Sequence, residues 1–251
     1  MRRLKLAERP GWRAQADAMG FTFHHADGRR YWDERAAYAF TLSEIEDGLE
    51  TAAAEVHAMC LDLVAEVVTS ERLMERLAVP EAARDYVAAT WAEKAPSLYG
   101  RFDFAFDGEG PAKLYEYNAD TPTSVYETGV FQWLWLEDQI AAGAVPAGAD
   151  QFNSLHDALR DRFRALFPGG GFVHFACDPD AVEDRQTVRY LEDLAAQAGI
   201  EPKFAPIAEI GLDADGRFVD QDNYLIGAIF KLYPWEEMLR EPYAASLAAS
   251  K

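Results

Sequence analysis

The chain comprises 251 residues, 49% of them apolar and 27% charged, with a formal net charge of −19. This is the composition of a globular protein with room for one large domain or two small ones, not of a disordered segment. Its 43 Asp and Glu outweigh 24 Lys and Arg, so no basic stripe is offered to nucleic acid and anionic membrane surfaces repel it. Cys60 and Cys177 lie far apart in apolar runs, without CxxC or Cys/His spacing, and are expected as buried free thiols. No N-terminal stretch carries the apolar core of a signal peptide, and the longest apolar candidate, around 130–140, is interrupted by Gln132, Glu137 and Asp138. The sequence therefore predicts a cytoplasmic protein.

A small hairpin is expected at 21–32, turning at Ala26-Asp27-Gly28. A long helix is predicted from Ser43. Ser43 and Glu46 have capping-box spacing, and Ile45, Leu49, Ala53, Val56, Cys60, Leu63 and Val67 recur at helical intervals. Pro80 suits the first position of a second helix, running to about Trp91. A hairpin at 99–118 comes next. Thr121 and Pro122 then read as N-cap and first residue of a third helix bearing Val125, Phe131, Leu134, Trp135 and Ile140. A further helix at 153–166 ends at Pro168 and a triple glycine. A short apolar strand (172–177), a helix (182–198), a strand (203–207) and a strongly apolar strand (224–232) follow. Strand, helix and strand at this spacing predict a βαβ unit with a parallel pair, hence an α/β fold. The chain divides accordingly into a largely helical region with the hairpin, 1–168, and a βαβ subdomain, 169–251. Leu247-Ala248-Ala249-Ser250-Lys251 stop inside a predicted helix without a cap, the ending expected of a fragment.

The hairpin carries the chemistry. In YGRFDFAFDGEGPAKLYEYNADTPTS (99–124), Phe102, Phe104 and Phe106 share one strand face, and Arg101 and Asp103 the other. On the return strand Leu114, Glu116 and Asn118 share a face. A turn centred between Glu109 and Gly110 puts Asp103 opposite Glu116 and Arg101 opposite Asn118. Two facing carboxylates destabilise a hairpin by up to ~1 kcal/mol, and a bound cation reverses that sign. Two carboxylates and an amide oxygen are an all-oxygen set suited to Mg2+, which usually arrives with phosphates. The competing reading is a solvated face with an Arg–Asp pair. Backbone amides at the helix start predicted for Thr121 favour an anion, and a cation site beside an anion site suits an enzyme that activates a carboxylate with ATP.

Other candidates are weaker. Capping explains one of the hydroxyls of Thr121, Thr123 and Ser124, and ligand binding is an equal reading of the set. Glu183 and Asp184 suit a helix first turn by the dipole alone; their functional reading is reception of an ammonium group at the carboxyl end of a parallel strand. Lys231 ends the apolar strand and is expected to reach solvent. The triple glycine at 169–171 lacks the GK[ST] of a phosphate loop, and the five histidines show no ligand spacing.

The hairpin, Glu183-Asp184 and the phrase IFKLYPWE at 229–236 together resemble the synthetase domain of the glutathionylspermidine synthase family, over essentially the whole chain. The stand-alone acid–amine ligase type, without an amidase domain, is the nearer likeness. The resemblance implies an ATP-grasp-like fold, incomplete at its C-terminal end, and an ATP- and Mg2+-dependent ligase joining a carboxylate to an amine through an acyl phosphate. Glutathione and spermidine are the acid and amine of the best-known members. It implies that Arg101 contacts the ATP phosphates and the acyl-phosphate centre, with Asp103 beside it at the nucleotide. Asp103, Glu116 and Asn118 become Mg2+ ligands. Thr121 and Thr123 fall on hydroxyl residues that bind glutathione, and Glu183 and Asp184 on an acidic pair that recognises the same peptide. Leu232 stands where glutathionylspermidine-forming members have threonine, a departure that concerns the acid. The family's nucleotide-binding lysines and lid lie beyond IFKLYPWE, so the chain is expected to hold the metal and acid half. The alternative is a non-catalytic module, or inactive fragment, that binds a peptide-like acid or a polyamine.

Overall fold

A computed structural model describes residues 1–26 and 28–247, so Asp27 of the predicted first turn and 248–251 of the predicted last helix lie outside the described residues. The chain opens with β1 (Arg2–Lys5), α1 (Trp12–Ala18), β2 (His25–Ala26), β3 (Arg29–Arg30) and β4 (Ala36–Ala39). β2 and β3 pair antiparallel as the expected hairpin, and β1 pairs antiparallel with β4.

The long helix begins as a π-helical run, Glu44–Glu50, and continues as α2 (Thr51–Val67). Its capping box lies two residues upstream of the predicted one. The Glu44 N–H donates to Thr41 Oγ1 at 3.3 Å and the Thr41 N–H donates to Glu44 Oε2 at 2.7 Å. Ser43 is already helical and its hydroxyl donates to Asp47 instead. Cys60 on α2 is partly exposed rather than buried; Cys177 is buried, and both are free thiols. α3 (Glu71–Arg76), capped by Ser70, is an element the sequence reading lacked, whereas α4 (Glu81–Ala92) follows Pro80 as expected.

β5 (Arg101–Ala105) and β6 (Lys113–Asn118) form the predicted hairpin. A second π-helical turn, Glu127–Phe131, leads into α5 (Gln132–Ala141), and α6 (Leu155–Leu166) follows. β7 (Gly171–Cys177), α7 (Val182–Gln197) and β8 (Ile200–Pro206) build the βαβ unit. After the short antiparallel pair β9 (Gly211–Leu212) and β10 (Phe218–Val219), β11 (Ile229–Leu232) lies parallel to β7, giving the order β11–β7–β8. The chain then passes through α8 (Trp235–Met238) and α9 (Ala244–Leu247). Among the described residues no helix is long and apolar enough to cross a membrane.

β7 is central and buried on both faces, the usual condition of a parallel strand. Val173, Phe175 and Cys177 join one core cluster with Leu159 and Phe163 of α6 and Val188, Leu191, Leu194 and Ala195 of α7. Trp12, Phe21 and Phe131 complete it, so a single apolar core extends across residue 168. On the opposite face Ala176 packs with Ala205, Ile207 and Ile210. The predicted strand 224–232 shortens to Ile229–Leu232 because its first half pairs elsewhere. The Asp220 N–H donates to the Tyr224 carbonyl and the Ile226 N–H to the Phe218 carbonyl. The buried Asp220 carboxylate fixes this bend by accepting the Asp222 and Tyr224 N–H groups, both at 2.9 Å.

Candidate functional site

The expected register holds where it matters: Asp103 pairs with Glu116 and Arg101 with Asn118. Beyond Asp103 a bulge shifts the pairing, so that Leu114 stands opposite Phe104. Leu114 therefore leaves the Glu116 face, contrary to simple alternation, because one extra residue flips a strand's side chains. The other face stacks Phe102 on Tyr117, ring centroids 3.9 Å apart, and Tyr117 is hydrogen-bonded to His57 at 3.1 Å.

Arg101 relieves the conflict of the facing acids. Its Nε donates to Asp103 Oδ1 at 2.9 Å, and its Nη2 to Asp103 Oδ2 at 3.2 Å and Glu116 Oε1 at 3.4 Å. Nη1 reaches Thr123 Oγ1 at 3.3 Å. The guanidinium holds the Asp103 carboxyl below the ordinary carboxylate range. Asp103 and Glu116 stay half exposed, with side-chain accessibilities of 43% and 59%.

The helix start expected at Thr121-Pro122 is a turn instead. The Thr121 N–H donates to Asn118 Oδ1 at 3.1 Å, and the Pro122 carbonyl accepts the Tyr99 hydroxyl at 2.6 Å. Ser124 follows with a left-handed φ of 69°, and helical residues begin at Val125. The Thr121 amide assigned to an anion is thus committed to a local turn. The same turn is clamped from the sheet. Lys231 Nζ donates to Asp120 Oδ1 at 2.5 Å and to the Tyr233 carbonyl at 2.8 Å, while Asp120 Oδ2 accepts the Trp235 N–H at 2.9 Å. Lys231 is therefore a buried tie between strand end and turn, not a solvent-seeking terminus. Its carbon stem gave no hint of this, because its partner lies 111 residues away.

A second acidic group stands beside the hairpin. Glu127, buried in the first turn of the helix after Ser124, accepts the Tyr31 hydroxyl at 2.5 Å. Arg101 and Glu183 both lie within electrostatic reach of Glu127, and Asp184 and Arg101 within reach of the partly buried Tyr99. The fold thus gathers Arg101, Asp103, Glu116, Asn118, Thr121 and Thr123 from the hairpin and turn, with Glu183 and Asp184 nearby at the carboxyl end of β7. Tyr31 and Glu127 escaped the sequence reading. A lone Glu inside the apolar run VYETGVFQWLW was the one signal for Glu127.

A family model described as glutathionylspermidine synthase preATP-grasp matches residues 3–251. The chain belongs to the glutathionylspermidine synthase family. A Haemophilus influenzae protein provisionally named an acid–amine ligase is 36% identical over 250 residues, covering 97% of this chain and 62% of that protein. The Escherichia coli bifunctional glutathionylspermidine synthetase/amidase is 26% identical over 244 residues, covering 95% of this chain and 38% of its own length. A Crithidia fasciculata trypanothione synthetase is 27% identical over 194 residues, covering 76% and 29% respectively. The chain therefore spans 62% or less of the length of these relatives. Among solved structures, a glutathione-synthetase-like effector of Globodera pallida matches with a TM-score of 0.50 at 13% identity, over 96% of this chain and 64% of that one, a likeness of fold.

The donor chemistry of this glutathionylspermidine synthase family chain is compatible with Mg2+. Among the described residues no group of three or more His, Cys, Asp or Glu side chains forms a metal cage. Mg2+ does not require one: it binds through one or two carboxylates, keeping its remaining positions for water and phosphate. Asp103 and Glu116 are two carboxylates on adjacent strands, both held by Arg101, and Asn118 lies on the same face with its amide oxygen accepting the Thr121 N–H.

Asp184 offers a separate test of the local field. Burial, with the charges of Glu183 and Asp178, pushes its carboxyl up to about 6. The folded state then holds a proton that the unfolded chain has released, so stability falls as pH rises from the ordinary Asp range of ~4 to about 6. Asp184→Asn is expected to gain stability over the parent across that window and to hold the gain at pH 7, as read from urea midpoints at several pH values. A difference independent of pH would contradict the assignment.

Proposed function

We propose that the chain carries the metal and acid-activating half of an ATP- and Mg2+-dependent acid–amine ligase. The observation that supports this most is the register of β5 against β6, which sets Asp103 against Glu116 and Arg101 against Asn118. In this reading Asp103, Glu116 and Asn118 hold Mg2+, which when bound would offset the negative charge of the ATP phosphates. Arg101, already gathering two carboxylates and a hydroxyl, supplies the cation that meets charge developing on the phosphoryl group during its transfer to the acid. Thr121 and Thr123 border the acid, and Glu183 and Asp184 receive an ammonium group. Region 1–168 thus contributes the hairpin and region 169–251 the βαβ unit with its acid pair.

The relatives' names support a peptide-like acid such as glutathione and a polyamine such as spermidine as substrates. The net charge of −19 favours the polyamine and disfavours nucleic acid and anionic membranes. A cytoplasmic setting, where ATP and reduced glutathione are abundant, suits both substrates. Incubation of the full-length protein with Mg2+, ATP, glutathione and hydroxylamine tests the reading. An acyl phosphate is trapped as a hydroxamate, and its formation should require both metal and nucleotide. A second reading draws on the greater length of the relatives: these residues bind substrate without turnover. Calorimetric binding of spermidine with no hydroxamate and no ATP-dependent phosphate release would favour it.

A further inference from the structure

Glu127 is an acid the hairpin does not account for. It is 6% exposed and opens the π-helical turn Glu127–Phe131, a distortion that recurs at functional sites. Oε1 accepts the Tyr31 hydroxyl, but Oε2 is fully buried and has no hydrogen-bond partner. A buried carboxylate oxygen without a partner costs stability that a neutral or apolar side chain would not. Arg101, a cation within electrostatic reach of Glu127, donates to Asp103, Glu116 and Thr123. Tyr31 is 41% exposed as a residue, so the pair runs from a partly exposed side chain to an acid that is not.

We propose that Tyr31 and Glu127 form the proton acceptor for the amine, with the Tyr31 oxygen meeting the substrate and Glu127 receiving the proton behind it. This rests on the ligase reading above. An amine arrives as R–NH3+ and has no lone pair for attack. One ammonium proton passes to the Tyr31 oxygen as the phenol gives its own proton to Glu127 Oε1, leaving Tyr31 neutral and Glu127 a neutral acid. The released nitrogen lone pair forms the C–N bond to the activated carboxyl carbon. The C–O bond to phosphate breaks with its electron pair, and the departing phosphate takes the second nitrogen proton, leaving an amide.

The surroundings favour that transfer. Burial pushes the Glu127 carboxyl up, opposed by the Tyr31 hydroxyl and by its own backbone N–H, while the charge of Glu183 on α7 adds to the rise and that of Arg101 on β5 counters it. Burial also raises the Tyr31 phenol, assisted by Glu127 and Glu183 and opposed by a hydrogen bond with Ser124. Glu183 brings a negative charge to the same place, suited to an incoming ammonium.

Two variants and two nucleophiles test the dyad. Spermidine is a cation at pH 7 and needs a proton acceptor; hydroxylamine is largely neutral there and does not. In Glu127→Gln the ratio of spermidine product to hydroxamate should fall by roughly 10²-fold or more, the scale of general-base catalysis. The deficit should narrow as pH rises and free amine accumulates. Tyr31→Phe, which keeps the ring packing, should show the same bias and guards against a Glu127→Gln protein that does not fold. Equal loss with both nucleophiles, or a deficit independent of pH, would overturn the dyad while leaving the ligase reading intact. Failure of the parent to form any hydroxamate would instead remove the ligase reading. The dyad, which rests on that reading, would fall with it.

Discussion

Asp103→Ala is expected to lower Mg2+-dependent ligase turnover by on the order of 10²–10³-fold in kcat/KM, the range found when a preorganised charge is removed from a transferring group. Glu116→Ala should behave alike, and the double variant should cost little more than either single one, because the two carboxylates serve one ion. Stability should scarcely move. The lost Arg101–Asp103 pair is partly exposed and is worth ~0–1 kcal/mol, and relief of the facing carboxylates returns a similar amount. Turnover lost with an unchanged urea midpoint is the signature of a site residue. A parallel fall in both would make Asp103 a structural member of the hairpin.

The largest effect on stability is expected at the opposite face of the sheet. The Asp220 side chain is fully buried and accepts from Lys203 at 2.5 Å, His174 at 3.1 Å and the N–H groups of Asp222 and Tyr224. Asp220→Ala leaves the buried His174 ring without its partner, leaves Lys203 to Asp222 alone, and frees the bend that holds 218–226 against β8. A loss of ~1–3 kcal/mol is expected, as for buried polar groups left without their acceptor. Burial works against the charged carboxylate, but Lys203, the two backbone donors and His174 outweigh it and hold the group well below the usual range. A depressed carboxyl contributes its stability above the unfolded Asp range of ~4 and loses it as pH falls below. The deficit of Asp220→Ala should therefore be full at pH 7 and shrink under acid conditions. Urea unfolding at pH 7 and pH 3 measures it.

Local pattern was enough for the hairpin, because a period-2 strand, a polar turn and a fixed centre leave one register for Arg101, Asp103, Glu116 and Asn118. The βαβ unit was legible for the same reason: both faces of β7 read apolar, and α7 follows at crossover length. Where local pattern failed, two local solutions competed or the partner was remote. The segment TLSE-IE contains overlapping boxes, Thr41 with Glu44 and Ser43 with Glu46, and only the chain path leading in from β4 chooses the first. The bulge beyond Asp103 depends on the loop 106–112 packing against Gly48, whose carbonyl accepts the Ala112 N–H. Tyr31 and Glu127 are 96 residues apart, and Asp120 and Lys231 are 111 apart, so no spacing rule links either pair.

A cation held by the acids of β5 and β6 is located directly by paramagnetic relaxation. In the presence of ATP, Mn2+ in place of Mg2+ should selectively broaden the NMR signals of Asp103, Glu116 and the Asn118 side-chain amide, and Asp103→Ala should abolish the effect. Broadening centred elsewhere, or unchanged by that substitution, would contradict the account.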